Sequence, residues 1–124
     1  MNKIYKLTIL ILTVVLLFGC SFNDENQSVK IEKNSSGYNF EATYPERKTK
    51  DVVAYLDKNL KQDNPYKSEN EQIDADVVLP NDAAFYLKTR PGLIVINFKK
   101  QKNNEANYQR LEKLCLGIKE ELKN

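Results

Sequence analysis

The sequence predicts an α+β domain built on an antiparallel sheet of about five strands, with element order β-β-α-β-β-β-α and two helices on one face of the sheet. Three observations lead to this prediction. Five short segments alternate apolar and polar residues, two longer segments repeat apolar residues at helical spacing, and clusters of Pro, Gly, Asn and Ser separate them. The turns between consecutive strands are short, which favours antiparallel hairpins.

The first two predicted strands form a hairpin around the polar turn at 34–37. Each strand alternates apolar with polar residues, from Val29 to Ile31 and then from Tyr38 to Tyr44. A four-residue turn sets Ile31 opposite Phe40 and Val29 opposite Ala42. All four side chains then lie on one face, which identifies that face as the side of the core.

An amphipathic helix is predicted to follow the hairpin. Pro45 suits the entry to a helix. The helix is expected from about Glu46 to Leu60, and the polar segment 61–72 after it is interpreted as a loop because it contains Asn64-Pro65. The apolar stripe of this helix comprises Val52, Val53, Leu56 and Leu60.

Three more strands are predicted between residues 73 and 98, separated by turns at 80–82 and 91–92. The turn lengths fix the pairing, and the same side chains reach the core in all three strands. A slip of one residue would turn all of them outwards. The predicted core-facing pairs are Val77 with Phe85, Ala75 with Leu87, Leu87 with Ile96, and Phe85 with Phe98.

The chain is predicted to end in a second amphipathic helix. A polar break at 101–104 precedes it, with Asn103 or Asn104 as the N-cap. Apolar residues then recur at helical spacing along a single stripe, at Tyr108, Leu111, Cys115, Ile118 and Leu122.

The first nineteen residues have the organisation of a secretory signal. Lys3 and Lys6 precede an apolar run of twelve residues from Leu7 to Phe18, which is shorter than the roughly 20 residues that a membrane-spanning helix needs. The run Leu17-Phe18-Gly19-Cys20 resembles the lipobox of bacterial lipoproteins. That resemblance implies alkylation of the Cys20 thiol by diacylglycerol, cleavage before Cys20, acylation of the new amine by a fatty acid such as palmitate, and anchoring on the outer side of the cytoplasmic membrane or in the outer membrane.

The expected organisation is therefore a signal peptide at 1–19, a lipidated Cys20 with a polar tether at 20–27, and one small domain at 28–124. Lys3 and Lys6 are two of the 19 basic residues, so 17 basic and 17 acidic residues remain after cleavage. A formally neutral domain argues against nucleic acid as a partner. With lipid on Cys20, Cys115 has no intramolecular disulfide partner.

No catalytic residue, metal ligand set or cofactor is predicted. The sequence contains no histidine, which removes the commonest general base and the commonest zinc ligand. Asp74 and Asp76 have the spacing of a metal motif, but the predicted register sets them opposite Lys88 and Tyr86 on the outer face, which explains them without a metal. Cys115 lies on an apolar helix stripe and is interpreted as a buried hydrophobic residue.

The face of the sheet away from the helices is the candidate interaction surface. The residues expected on it are Val78, Tyr86, Lys88, Arg90, Leu93 and Val95. Tyr and Arg are enriched in protein interfaces, although a solvated antiparallel face is the ordinary alternative.

The leading functional hypothesis is a lipid-anchored envelope protein without enzymatic activity, which binds an envelope protein partner in an accessory, immunity or exclusion role. Two alternatives stay open. One is a carrier with an apolar pocket for a small ligand between helices and sheet. The other is a hydrolase that uses carboxylates alone, such as those of Glu120 and Glu121.

Overall fold

The computed structural model describes residues 26–123. The predicted signal peptide, Cys20 and the tether up to residue 25 lie outside the described residues. The strands are β1 (Ser28–Lys33), β2 (Gly37–Thr43), β3 (Ile73–Val78), β4 (Ala84–Arg90) and β5 (Leu93–Lys99). The helices are α1 (Thr49–Leu60) and α2 (Glu105–Leu122), and short 3-10 turns occupy Glu46–Lys48, Lys61–Asp63 and Lys100–Lys102.

The five strands form one antiparallel sheet in the order β1-β2-β5-β4-β3. The predicted fold class, strand number and order of elements are confirmed. The strands β1 and β2 form one hairpin, and β3, β4 and β5 pair in sequence. The pairing of β5 with β2 joins these two parts into one sheet. The two edge strands of the sheet are therefore β1 and β3.

The predicted register is confirmed for the pairs that the ladders contain. Val29 lies opposite Ala42, Val77 opposite Phe85, and Leu87 opposite Ile96. The predicted pair of Phe85 and Phe98 lies beyond the β4–β5 ladder, which ends at Tyr86 and Asn97.

Beyond the end of the β4–β5 ladder, the Asn103 side chain forms hydrogen bonds with the backbone of both strands. Its amide oxygen accepts from the Ala84 N–H at 2.8 Å, and its amide nitrogen donates to the carbonyls of Ala84 at 2.9 Å and Lys99 at 3.0 Å. Backbone groups that the two strands do not pair are thereby satisfied by one side chain, as buried strand ends require.

The core lies between the sheet and the two helices. Tyr38 of β2 stacks on Phe98 of β5 with ring centroids 4.9 Å apart, and Phe98 meets Tyr108 of α2 edge-on at 5.1 Å. Both helices contribute to the same buried cluster as the inner face of the sheet, so both cover the same face. Helix α1 contributes Val52 and Leu56 to this cluster. Helix α2 contributes six residues: Tyr108, Leu111, Leu114, Cys115, Ile118 and Leu122.

The helix boundaries differ slightly from the prediction. A 3-10 turn occupies Glu46–Lys48, and α1 itself begins at Thr49. Pro45 is extended (φ −59°, ψ 140°), and the first turn after it closes with a hydrogen bond from the Lys48 N–H to the Pro45 carbonyl, at 2.9 Å. For α2, Asn104 is the N-cap of the two asparagines expected there, and its side chain accepts from the Asn107 N–H at 2.8 Å.

Lys48 ties the start of the described chain to the end of α2. Its buried ammonium donates to the side-chain oxygen of Gln27 and to the Leu122 carbonyl, both at 2.9 Å. The Gln27 amide donates to the same carbonyl at 2.8 Å. The chain therefore enters the domain beside the C-terminus of α2, where a cation is also favoured by the helix dipole. We call this arrangement the Lys48 clamp.

Candidate functional site

The candidate surface lies on three adjacent strands, β3, β4 and β5, on the face that the helices do not cover. Val78 of β3 is 67% exposed and Arg90 of β4 is exposed. Tyr86, Lys88 and Val95 are half-buried between their neighbours. The sheet order brings these five predicted residues together. We call the side of the sheet on which they lie, away from the helices, the outer face.

Leu93 lies on the predicted side of the sheet, but its side chain is buried, so it does not belong to the exposed part of this surface. The side chain is only 6% exposed and stands apart from the main core cluster. It lies at the end of β5, directly opposite Thr43 of β2 and Arg90 of β4. Alternation along the strand assigns a side chain to a face, but it does not show how far neighbouring side chains cover it.

A hydrogen bond across two strands orients the aromatic residue of the outer face. The Tyr86 hydroxyl donates to Oδ1 of Asp74 at 2.7 Å, and this bond raises the pKa of Tyr86. Lys88 lies opposite Asp74 as predicted, but the two form no ion pair in the part of the chain that the structure describes. The predicted pairing of Asp74 is therefore correct in register, while its actual partner is the tyrosine.

A groove of about 540 Å³ opens at one end of the outer face. Asn39, Asn97, Tyr86 and Asp76 follow one another across β2, β5, β4 and β3 and line it, together with Val78. This end of the sheet is opposite to the one where Ser28 begins β1. The predicted register already sets Asn97 opposite Tyr86 on this face, whereas Asn39 joins the row through the pairing of β2 with β5, which no local sequence signal indicates.

The edge strand β3 borders this groove. Its outward residues Asp74 and Asp76 are exposed, and so is Ala75, which the sequence analysis assigned to the core. The inward direction is correct, but neither helix packs extensively against β3. Leu87 and Ile96, which continue the row of Ala75 on β4 and β5, are each only 1% exposed.

A second cleft, of about 380 Å³, lies on the helix side. The C-terminal end of α1, the middle of α2 and the turn between β3 and β4 form it, with an apolar lining and a charged rim. Its apolar lining comprises Tyr55, Leu60, Leu79, Ala83, Leu111 and Leu114, and its rim includes Asp63, Arg110 and Lys113.

Cys115 is fully buried among the core residues and unpaired, as expected for a structural thiol. Burial raises its pKa, which disfavours the reactive thiolate. Among residues 26–123, no group of three or more Cys, Asp or Glu side chains is arranged to hold a metal ion. Within the same range, neither helix has the length and apolar character needed to cross a bilayer.

The sequence matches no protein-family model, and no curated protein or solved structure is similar enough to count as a match.

Proposed function

We propose that this chain is a lipid-anchored protein of the bacterial cell envelope that binds another envelope protein through its outer face, without enzymatic activity. The observation that carries the proposal is the one-sided packing of the sheet. Both helices cover the inner face. The outer face is left with an exposed valine, an oriented tyrosine and two cationic side chains, which is a composition typical of interfaces.

The position of the chain entry supports a role close to a membrane. Gln27 is fixed to the domain by the Lys48 clamp. Only about six residues then separate the domain from Cys20, and they span roughly 20 Å when fully extended. The groove at the far end of the sheet would face away from the lipid surface.

The proposal is tested by crosslinking from a defined position in living cells. A photoreactive residue replaces Tyr86 in one variant and Gln109, on the exposed side of α2, in another. We expect a crosslinked partner from position 86 that is absent from position 109. We also expect that partner to be lost when the crosslinker at 86 is combined with Val95→Asp, which places a charge in the same surface. Identical products from positions 86 and 109 would refute the proposal.

The helix-side cleft favours a second candidate function, a carrier for a small apolar ligand. Its volume lies within the range of ligand pockets, and leucines form much of its lining. Native mass spectrometry of the full chain, released from detergent, tests this function. A co-purifying small molecule that is lost in Leu114→Asp would support it, and a mass that corresponds to the lipidated protein alone would count against it.

A further inference from the structure

We propose that β3 is a docking edge, to which an extended segment of the partner protein adds as a sixth strand with Lys or Arg at every second position. This inference rests on the proposed function, because it specifies how the partner that meets the outer face is held. It commits to a strand-forming basic segment, a mode of recognition in which main-chain hydrogen bonds supply affinity and alternate side chains supply specificity.

The backbone of β3 presents unpaired groups to solvent. The Ile73 N–H is directed towards β4, where it donates to Oγ1 of Thr89 at 3.1 Å. Successive N–H groups of an antiparallel strand alternate in direction, so those of Asp74, Asp76 and Val78 point away from β4. No strand of the described residues lies on that side. These groups form the template that an added strand requires.

The side of β3 that points towards the core is incompletely covered, and a sixth strand beside β3 would cover it. Ala75 is exposed, and Ile73 and Val77 are only half-buried, although all three point to the side of the core. The next residues in the row of Ala75, Leu87 and Ile96, are almost completely buried. Small or apolar side chains of the added strand would extend this row and cover the margin of the core.

The opposite edge of the sheet is protected, which distinguishes the two edges. The outward residues of β1 include Lys30 and Glu32, and a lysine on an edge strand is a common device against unwanted pairing. Lys33, at the end of β1, forms an ion pair with Glu112 of α2 at 2.9 Å. By contrast β3 contains no lysine, proline or bulge.

The charge of β3 selects the partner. Asp74 and Asp76 both point to the outer face, one on each side of Ala75. Asp76 makes no hydrogen bond or ion pair with any described residue, and Asp74 accepts only from Tyr86. Side chains of an added strand that face them are two residues apart, which gives the alternation of basic residues in the proposed segment.

The same charges argue against a second copy of this chain as the occupant. If two β3 strands pair antiparallel over five residues with their outer faces on the same side, an Asp lies directly opposite an Asp. The two registers pair Asp74 with Asp76, or Asp76 with Asp76. Like charges directly opposite each other are destabilising, so β3 is expected to select a different chain.

The experiment uses the full chain in detergent micelles and three synthetic peptides. The first peptide alternates Val and Lys, the second alternates Val and Glu, and the third is the Val–Lys peptide with alternate backbone nitrogens methylated. We expect only the first to bind. On binding, hydrogen exchange should slow at the amides of Asp74, Asp76 and Val78, which point towards the added strand, with no change on β1.

Matched variants report on the contribution of charge. The double variant Asp74→Asn with Asp76→Asn should bind the Val–Lys peptide about tenfold more weakly, because two favourable cross-strand pairs are lost. Glu32→Gln, which neutralises an outward carboxylate on the other edge strand, should leave binding unchanged. Thermal unfolding of each variant verifies that it is folded.

Several results would overturn the docking edge. These are equal binding of the Val–Glu or the methylated peptide, protection on β1 instead of β3, no binding at roughly millimolar peptide, or dimers of this chain that Asp76→Lys strengthens. They leave the crosslinks from position 86 unaffected. A partner that still crosslinks at 86 would therefore separate failure of the docking edge from failure of the proposed function.

Discussion

Tyr44 and Tyr66 bring polar atoms into the core at the end of the sheet where Thr89 lies. Both side chains are buried, and the Tyr44 hydroxyl finds no hydrogen-bond partner among the described residues. Burial raises the pKa of Tyr44, and the neighbouring Tyr66 raises it further. Burial also raises the pKa of Tyr66, whose hydroxyl likewise has no hydrogen-bond partner among the described residues.

These tyrosines predict a loss of stability at alkaline pH. An unfolded tyrosine has a pKa of about 10, and the folded values lie above it. The stabilisation by the neutral phenols is therefore complete below about pH 10 and is lost as the pH rises through the folded pKa values. Urea unfolding between pH 7 and about 11, followed by circular dichroism, should show a decreasing free energy of unfolding at the alkaline end.

Tyr44→Phe provides the control for this prediction. The variant removes an unpaired hydroxyl, so at pH 7 its free energy of unfolding should equal or exceed that of the wild type. Its alkaline decrease should be smaller. A wild-type stability that is constant to about pH 11, or an alkaline decrease of the same size in Tyr44→Phe, would contradict the assigned role of the buried phenol.

Single residues also show where prediction from the sequence stops. Alternation correctly assigned the directions of Leu93 and Ala75, yet their exposures are the reverse of those expected. Exposure depends on how far the helices extend across the sheet and on which neighbours lean over a side chain. Neither quantity is encoded in the period of a single strand.

At the level of elements, the contact between α1 and α2 depends on a glycine. A Cβ atom on Gly117 would overlap the hydroxyl end of the Tyr55 ring, so the ring of α1 lies directly over the backbone of α2. Glycine in the middle of a helix costs about 1 kcal/mol relative to alanine. Its place here is explained by the ring that it accommodates.

This contact predicts that Gly117→Ala changes the stability in opposite directions in the wild type and in a Tyr55→Ala variant. In the wild type, Gly117→Ala should destabilise the protein by about 1 kcal/mol or more, because the displaced ring loses more than the helix gains. In a Tyr55→Ala background the same substitution should stabilise it by about 1 kcal/mol. Chemical denaturation of the four proteins of this cycle measures both effects. A stability change of the same sign in both backgrounds would show that the Tyr55 ring is not the reason for a glycine at position 117.

The register of the sheet was the most predictable property of the elements. Turn lengths and alternation together fixed the partners of Val29, Val77 and Leu87. The adjacency of β2 and β5 was not predicted, because it joins segments more than fifty residues apart and no local signal reports it. The bridging of Ala84 and Lys99 by Asn103 was equally inaccessible, since the sequence offered this residue only as a helix cap.

For the whole molecule, the proposed lipid anchor predicts a clear difference between the two cysteines. Cys20→Ala should abolish acylation and move the protein from the detergent phase to the aqueous phase on phase separation. Cys115→Ala should retain the lipid, because that thiol is buried in the core. Metabolic labelling with a fatty acid, read on both variants, tests the prediction. Persistent labelling of Cys20→Ala would contradict the anchor assignment.

The candidate site was predictable in part at this scale. The pairing of β3 with β4 and of β4 with β5, and the one-sided helix packing, were inferred from the sequence, so Val78, Tyr86 and Val95 were correctly grouped on one face. The groove at the far end was not inferred because its row of residues needs the unpredicted pairing of β2 with β5, and the uncovered edge was not inferred because it depends on how far the helices cover the inner face.

The Lys48 clamp has a mechanical consequence for an anchored protein. It fixes Gln27 beside Leu122, so a pull on the tether would reach the domain at the start of β1, and a pull along the strand would load β1 lengthwise. A segment held on β3 and drawn the opposite way would load the sheet in shear, with the hydrogen bonds of each ladder strained together. Unzipping, in which the bonds break one by one, would require a pull across the strands. With the proposed anchor and docking edge, tension between membrane and partner would therefore run along the strands.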